Sequence, residues 1–236
     1  MDSRRLSIAC HDGHDRVYRA DVAGLEAPYP RQLLLAITDS VLFLARTGRY
    51  AVGKYDHNGR LLASICVDRA RKHVSQQVVK AYRTRAMRNA TDAYTTREWT
   101  TLSADDVFPQ ELPAFDQMLV DSSGRLWVRE SATELDRSAL WVVFNADGHP
   151  LARLRLPAPL SVTAVNGDRI LGVWNDFDAP EQVRVYRLVS SGNQYVAASS
   201  RSQSGVATHI PAEVRNSNDS ATRTRHRAHL LPDRMP

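Results

Sequence analysis

Short apolar blocks separated by polar turns dominate the chain from Gln32 onward. QLLLAI (Gln32 to Ile37), SVLFLA (Ser40 to Ala45), RYAVGKY (Arg49 to Tyr55) and RLLASICV (Arg60 to Val67) follow one another on short connectors. Aliphatic and β-branched blocks at that spacing predict a four-stranded antiparallel meander. A second set, QMLVD, RLWVRE, ALWVVF and PLARLRL, runs from Gln117 to Leu156. A third begins with LSVTAV at Leu160, continues as RILGVW and VRVYRLV, and adds QYVAA from Gln194. Upstream, RLSIAC and RVYRADV read as the last two strands of an earlier set. Proline precedes each set, at Pro30, at Pro113, and at Pro157 with Pro159. A residue without an amide donor suits a linker between sheets.

One turn recurs between these strands. YDHNGRLL from Tyr55, VDSSGRLW from Val120 and FNADGHPL from Phe144 share an apolar residue, Asp or Asn, two loop residues, Gly, Arg or His, and a later apolar residue. The carboxylate or amide can accept from backbone donors in the turn, and glycine takes a positive φ without steric cost. Two of these turns, at Gly59 and Gly148, fall at the same place in their sets, between third and fourth strands.

Small four-stranded sheets in series are the sequence signature of a β-propeller. FPQELPAFDQMLVDSSGRLWVRE, WVVFNADGHPLARLRLP and DRILGVWNDFDAPEQVRVYRL resemble the closing blades of bacterial six-bladed, NHL-like β-propeller proteins, and RTGRYAVGKYDHNGRLLASI resembles the blade before them. The likeness runs from about Ala27 to Leu188 and rests on structural hairpins. It implies a scaffold for ligands or proteins, in a family often exported or lipid-anchored, within a superfamily that includes lactonase-like hydrolases. The expected fold is all-β: a partial propeller of about three and a half blades over residues 1–198, the C-terminal part of a longer ring. Open sheet edges would then be available for pairing.

The alternation stops between Asp68 and Leu112, where a helical insertion spans about residues 69–112. VSQQVVKAYRTRAM places Val74, Val78 and Tyr82, with Val79 beside them, on one stripe, and Ser75 is suited to an N-cap. One inserted helix is expected, packed by that stripe. Arg69, Arg71, Lys72, Lys80, Arg83, Arg85 and Arg88 make it basic with no acid between Arg69 and Arg88. A solvated face accounts for this run. The functional alternative is a polyanion dock through Lys80, Arg83, Arg85 and Arg88, readable as salt-dependent binding. Few aromatic side chains accompany these charges beyond Tyr82 and Tyr94, which argues against nucleic acid as the partner.

Composition adds bounds. The 236 residues carry a formal charge of +5, so acidic partners are allowed and not demanded. Cys10 and Cys66 are too few for a disulfide framework or a four-cysteine zinc site. The opening residues contain no signal-peptide core, and no uncharged run suits a membrane span.

CHDGHD, Cys10 to Asp15, is dense in metal-capable side chains, but its spacing matches no zinc pattern and its Asp-Gly centre reads as a turn. WNDFDAPEQ holds Asp176, Asp178 and Glu181 in one loop, an oxygen-rich set that could take calcium. Acidic residues are equally the default in a turn entering a strand. The nucleophile elbow, dinucleotide and P-loop patterns do not occur. Glu111, Glu130 and Asp136 could face a channel, and Trp127, Trp141 and Trp174 are explained by buried packing. The reading is therefore a binding or structural scaffold without catalysis of its own, with a metal-assisted hydrolase as the enzymatic alternative. Residues 199–236, rich in Ser, Thr, Asn and Arg, read as a flexible basic tail that cannot offset its ordering entropy.

Overall fold

The three four-residue turns organise the chain into antiparallel sheets, seen in a computed structural model that describes residues 15–19, 22–175, 180–191 and 194–199. A hairpin, β1 (Arg16–Arg19) with β2 (Val22–Glu26), precedes three four-stranded meanders. The first comprises β3 (Leu33–Ile37), β4 (Val41–Arg46), β5 (Ala51–Asp56) and β6 (Leu61–Cys66). The second comprises β7 (Phe115–Val120), β8 (Leu126–Glu130), β9 (Ser138–Phe144) and β10 (Pro150–Pro157). The third comprises β11 (Leu160–Asn166), β12 (Arg169–Trp174), β13 (Gln182–Ser191) and β14 (Gln194–Ser199). All three meanders fall where the apolar blocks place them. The upstream pair differs: RVYR pairs with VAGLE, and RLSIAC lies outside the described residues, as does most of the C-terminal tail.

The recurrent turn has one geometry at all three sites. Asp56 Oδ1 accepts the amides of Asn58 and Arg60, both at 2.9 Å. Asp121 Oδ1 accepts those of Ser123 and Arg125 at 2.9 Å, and Asn145 Oδ1 accepts those of Asp147 at 3.0 Å and His149 at 2.8 Å. Gly59, Gly124 and Gly148 close the turns at φ 81, 75 and 83°. The acceptor at the first position and the glycine at the fourth are thus required by the same backbone path.

The second meander lies between the other two. One of its faces supplies Phe115, Met118, Leu126, Val128, Val142 and Phe144 to a core shared with Phe43, Tyr50, Val52 and Ile65 of the first. Its other face supplies Trp127, Trp141, Leu154 and Leu156 to a core shared with Leu160, Val162, Ile170 and Tyr186 of the third. The period-2 alternation of each strand makes this two-sided burial possible. The first strands of the meanders are neighbours, β3 beside β7 and β7 beside β11. Gln32 Nε2 donates to Asp116 O at 3.3 Å across the first junction, and Gln117 Nε2 donates to Val162 O across the second.

The insertion corrects the single expected helix. It holds α1 (Gln76–Asn89), α2 (Ala93–Leu102) and a 3-10 turn at Asp105–Val107. Ser75 caps α1, its Oγ accepting from Val78 N at 3.4 Å. The chain turns extended at Ala90 and restarts with a reciprocal capping box between Asp92 and Thr95. The expected stripe is buried: Val74, Val78 and Val79 pack with Leu112, Tyr29 and Phe108 in a small core of their own. No helix among the described residues is long and apolar enough to cross a membrane.

Candidate functional site

Strand direction alternates within each meander, so the glycine turns lie at one end of the sheets. The connections after second and fourth strands lie at the other. That second end carries the helical insertion, the β8–β9 loop and the β10–β11 turn, and between them opens a cleft of about 1680 Å³. Its walls are α1 on one side, with Lys80, Arg85 and Arg88, and the segment from Ser131 to Ser138 on the other.

Acids of the second meander and its β8–β9 loop, with two from within the insertion, hold the insertion in place. Arg69 pairs with Glu130, Arg71 with Glu111 at 2.6 Å, and Lys72 with Asp136 at 3.7 Å. Further along, Arg83 meets Asp105 at 2.5 Å and Arg85 meets Glu134 at 2.8 Å. The three acids that could have faced a channel are therefore partners of three cations on the segment leading into α1. Glu130 is buried, and burial raises its carboxyl above the ordinary range despite the Arg69 guanidinium and the fields of Arg153 and Lys72.

An aromatic group braces α1 from below. Tyr82 stacks edge-on with Tyr29 at 5.6 Å and with Phe108 at 5.3 Å, and the Arg85 guanidinium sits 5.2 Å above the Tyr82 ring. Burial pushes the Tyr82 phenol up to about 12. Tyr29 has φ 49° and donates its hydroxyl to Glu134, which joins the turn before β3 to the opposite wall. Burial, then this bond to a carboxylate, raises the Tyr29 phenol far above its ordinary value.

On the sheet side of the cleft, Asp116 and Arg129 form a pair at 2.5 Å, and Asp116 also accepts from Ala132 N at 3.4 Å. Burial raises the Asp116 carboxyl, with Arg129 opposing the shift. Trp174 departs from its expected place: Trp127 and Trp141 are fully buried, but Trp174 is half-buried on the cleft wall, with the Arg184 guanidinium 3.7 Å above its ring.

The charges of the cleft do not balance. Lys80, Arg88 and Arg137 are exposed on its walls with no carboxylate in pairing distance among the described residues. Arg155 also lines the cleft, within the field of Glu130. The acids Asp116, Glu134 and Asp136 are all paired, which leaves Glu181 at the rim as the unpaired acid of the described lining.

Of the polyanion set read from sequence, Lys80, Arg85 and Arg88 line this cleft and Arg83 turns to Asp105. Of the calcium set, Asp176 and Asp178 lie outside the described residues, and Glu181 is exposed on the cleft rim. CHDGHD is described only at Asp15, whose carboxylate takes the backbone amide and guanidinium of Arg31. No group of three or more His, Cys, Asp or Glu arranged to hold a metal ion occurs among the described residues. Tyr29, Asp116, Arg129, Glu134 and Arg137 escaped sequence reading. Each is a single ordinary residue whose neighbours come from distant elements. Comparison of the chain with family models, with curated proteins and with solved structures returns no match.

Proposed function

We propose that the chain is a partial β-propeller of the NHL-like kind that serves as a binding scaffold without catalysis of its own, and that its cleft takes an extended acidic chain. The propeller part is supported by meanders in series whose first strands adjoin one another, as they do around a propeller axis. The binding part is carried by the charge imbalance: three cations stand free on both walls, while three of the four lining acids are neutralised by other partners and only Glu181 is unpaired among the described lining. Low-dielectric walls focus the field of such cations into the cleft and favour an anionic occupant. A volume near 1680 Å³ exceeds what a drug-sized ligand fills and suits a peptide. Trp174, with the Arg184 guanidinium stacked on its ring, adds a further cation on the cleft wall.

The test is fluorescence anisotropy with a labelled oligoglutamate peptide, against oligoglutamine of the same length. The glutamate peptide binds and the glutamine peptide does not, and affinity falls as salt is raised. Reversing Lys80, Arg88 and Arg137 to Glu weakens binding more than about tenfold, the sum of three exposed pairs at about 0.5 kcal/mol each. Equal binding of both peptides, or an unchanged affinity in the triple variant, overturns the proposal.

A further inference from the structure

One acid of the cleft, Glu134, stands where an anionic ligand would meet its donors. It lies near the tip of a compact turn in the β8–β9 loop. Thr133 O accepts from Asp136 N at 3.1 Å, and Asp136 Oδ2 accepts in return from Thr133 N at 2.8 Å and Thr133 Oγ1 at 3.0 Å. Lys72, 3.7 Å from Asp136, ties this turn to the insertion. None of these contacts uses the Glu134 side chain. Leu135 beside it is half exposed, whereas the Glu134 side chain is turned into the cleft and only 11% exposed.

The groups that receive Glu134 come from elements far from the loop in sequence. Its Oε1 pairs with Arg85 of α1 at 2.8 Å, and its Oε2 accepts from the Tyr29 hydroxyl. Arg85 sits 5.2 Å above the Tyr82 ring, and Tyr29 packs edge-on to the same ring at 5.6 Å. Tyr82 is buried, so it fixes both donors whichever carboxylate lies between them. A guanidinium and a phenol hydroxyl aimed at one carboxylate recognise its charge and its two oxygens, not the residue that carries it. Arg88 stands unpaired one turn further along α1, and Arg137 three residues after Glu134, both on the walls of the same cleft.

The geometry points to Glu134 as an internal competitor: its carboxylate fills a carboxylate pocket made by Arg85 and Tyr29, and a carboxylate of the acidic chain takes its place on binding. This rests on the acidic-chain reading of the cleft and adds to it a built pocket and the residue that regulates it. The exchange is nearly balanced, since one carboxylate replaces another on the same donors. Rotation of the Glu134 side chain leaves the Thr133–Asp136 turn bonds intact. A site open a tenth of the time binds about tenfold more weakly than one always open.

Oligoglutamate anisotropy on variants of the full chain tests the competition. Glu134→Gln keeps the size of the side chain and removes the charge opposite Arg85, and it tightens binding about tenfold. Asp136→Asn removes the same charge two residues away, but its partner Lys72 does not line the cleft, so affinity changes by less than about twofold. A second measurement needs no polyanion. In Glu134→Ala, which leaves room for a small acid, millimolar propionate raises the melting temperature and propionamide does not, while the native chain responds to neither. Binding by the native chain with no gain in Glu134→Gln, or an equal gain in Asp136→Asn, overturns the competitor and leaves the acidic-chain reading in place. Absence of oligoglutamate binding in every variant overturns that reading and the competition with it. An unmoved melting temperature of Glu134→Ala in propionate overturns the carboxylate pocket itself.

Discussion

The indole Nε1 of Trp127 donates to the carboxylate Oδ2 of Asp121 at 2.8 Å, with Trp127 and the Asp121 side chain wholly buried. Asp121 is the first residue of the second copy of the recurrent turn, so one carboxylate closes a hairpin with Oδ1 and anchors the core with Oδ2. The Arg125 guanidinium completes the set at 2.6 Å. Its counterparts Asp56 and Asn145 make the turn contacts at exposed sites.

Asp121→Ala should therefore destabilise far more than Asp56→Ala. The first leaves a buried indole N–H and turn amides without acceptors, at about 3 kcal/mol or more, and the second removes exposed turn bonds at about 1 kcal/mol. Urea denaturation of the two variants measures the difference, and equal midpoints would refute the buried anchoring role.

Glycine turns should separate in the same way. A Cβ on Gly124 meets nothing within 4 Å, whereas one on Gly148 comes within 2.7 Å of Ile65 Cγ1, across the junction between the first two meanders. Gly124→Ala carries the left-handed backbone cost of about 1–2 kcal/mol. Gly148→Ala adds overpacking of about 1–3 kcal/mol. The excess should shrink in the background of Ile65→Ala, measured as a non-additive double-mutant cycle.

Glu130 gives a pH signature. Its folded-state pKa lies above the ordinary 4.5 because of burial, so the native state holds a proton that the unfolded chain has released. Stability then falls as pH rises from the unfolded value through the folded one. Glu130→Gln lacks this titration. The melting-temperature difference between Glu130→Gln and the native chain should move in favour of Gln between acid and neutral pH, and a shift in the opposite direction contradicts the burial argument.

The insertion should loosen independently of the sheets. Tyr82 joins Tyr29, Trp99 and Phe108 in a cluster separate from the two inter-sheet cores. Tyr82→Ala removes about 3 kcal/mol of packing there. Hydrogen exchange should then accelerate through α1 and α2 while strands β8 and β9 keep their protection.

Sequence reading found the meanders because each strand carries its own evidence, an apolar block bounded by a turn residue with a backbone reason to be there. The buried stripe Val74, Val78 and Tyr82 was legible on the same ground. The second helix was not. AYTTREWTTL is rich in threonine and buries only Leu102, so its start signal, Asp92 with Thr95, stood without an apolar period behind it. The cleft was illegible for a different reason. The basic run from Arg69 to Arg88 reads as unopposed because its counterions lie outside it, Glu130, Glu134 and Asp136 in the second meander and its β8–β9 loop and Asp105 and Glu111 at the far end of the insertion. Which cations stay free is a property of the packing.

The order of the sheets is the claim beneath both the cleft and the propeller reading, and Ile methyl groups read it directly. Ile65 belongs to the core between the first and second meanders, and Ile170 to the core between the second and third. Methyl nuclear Overhauser spectra of an Ile-labelled sample should connect Ile65 to Phe43 or Phe144 protons and Ile170 to the indoles of Trp127 or Trp141. No cross-peak should join Ile65 to Ile170 within one chain. Direct contact between those two methyls would place the first and third meanders face to face and contradict the serial arrangement.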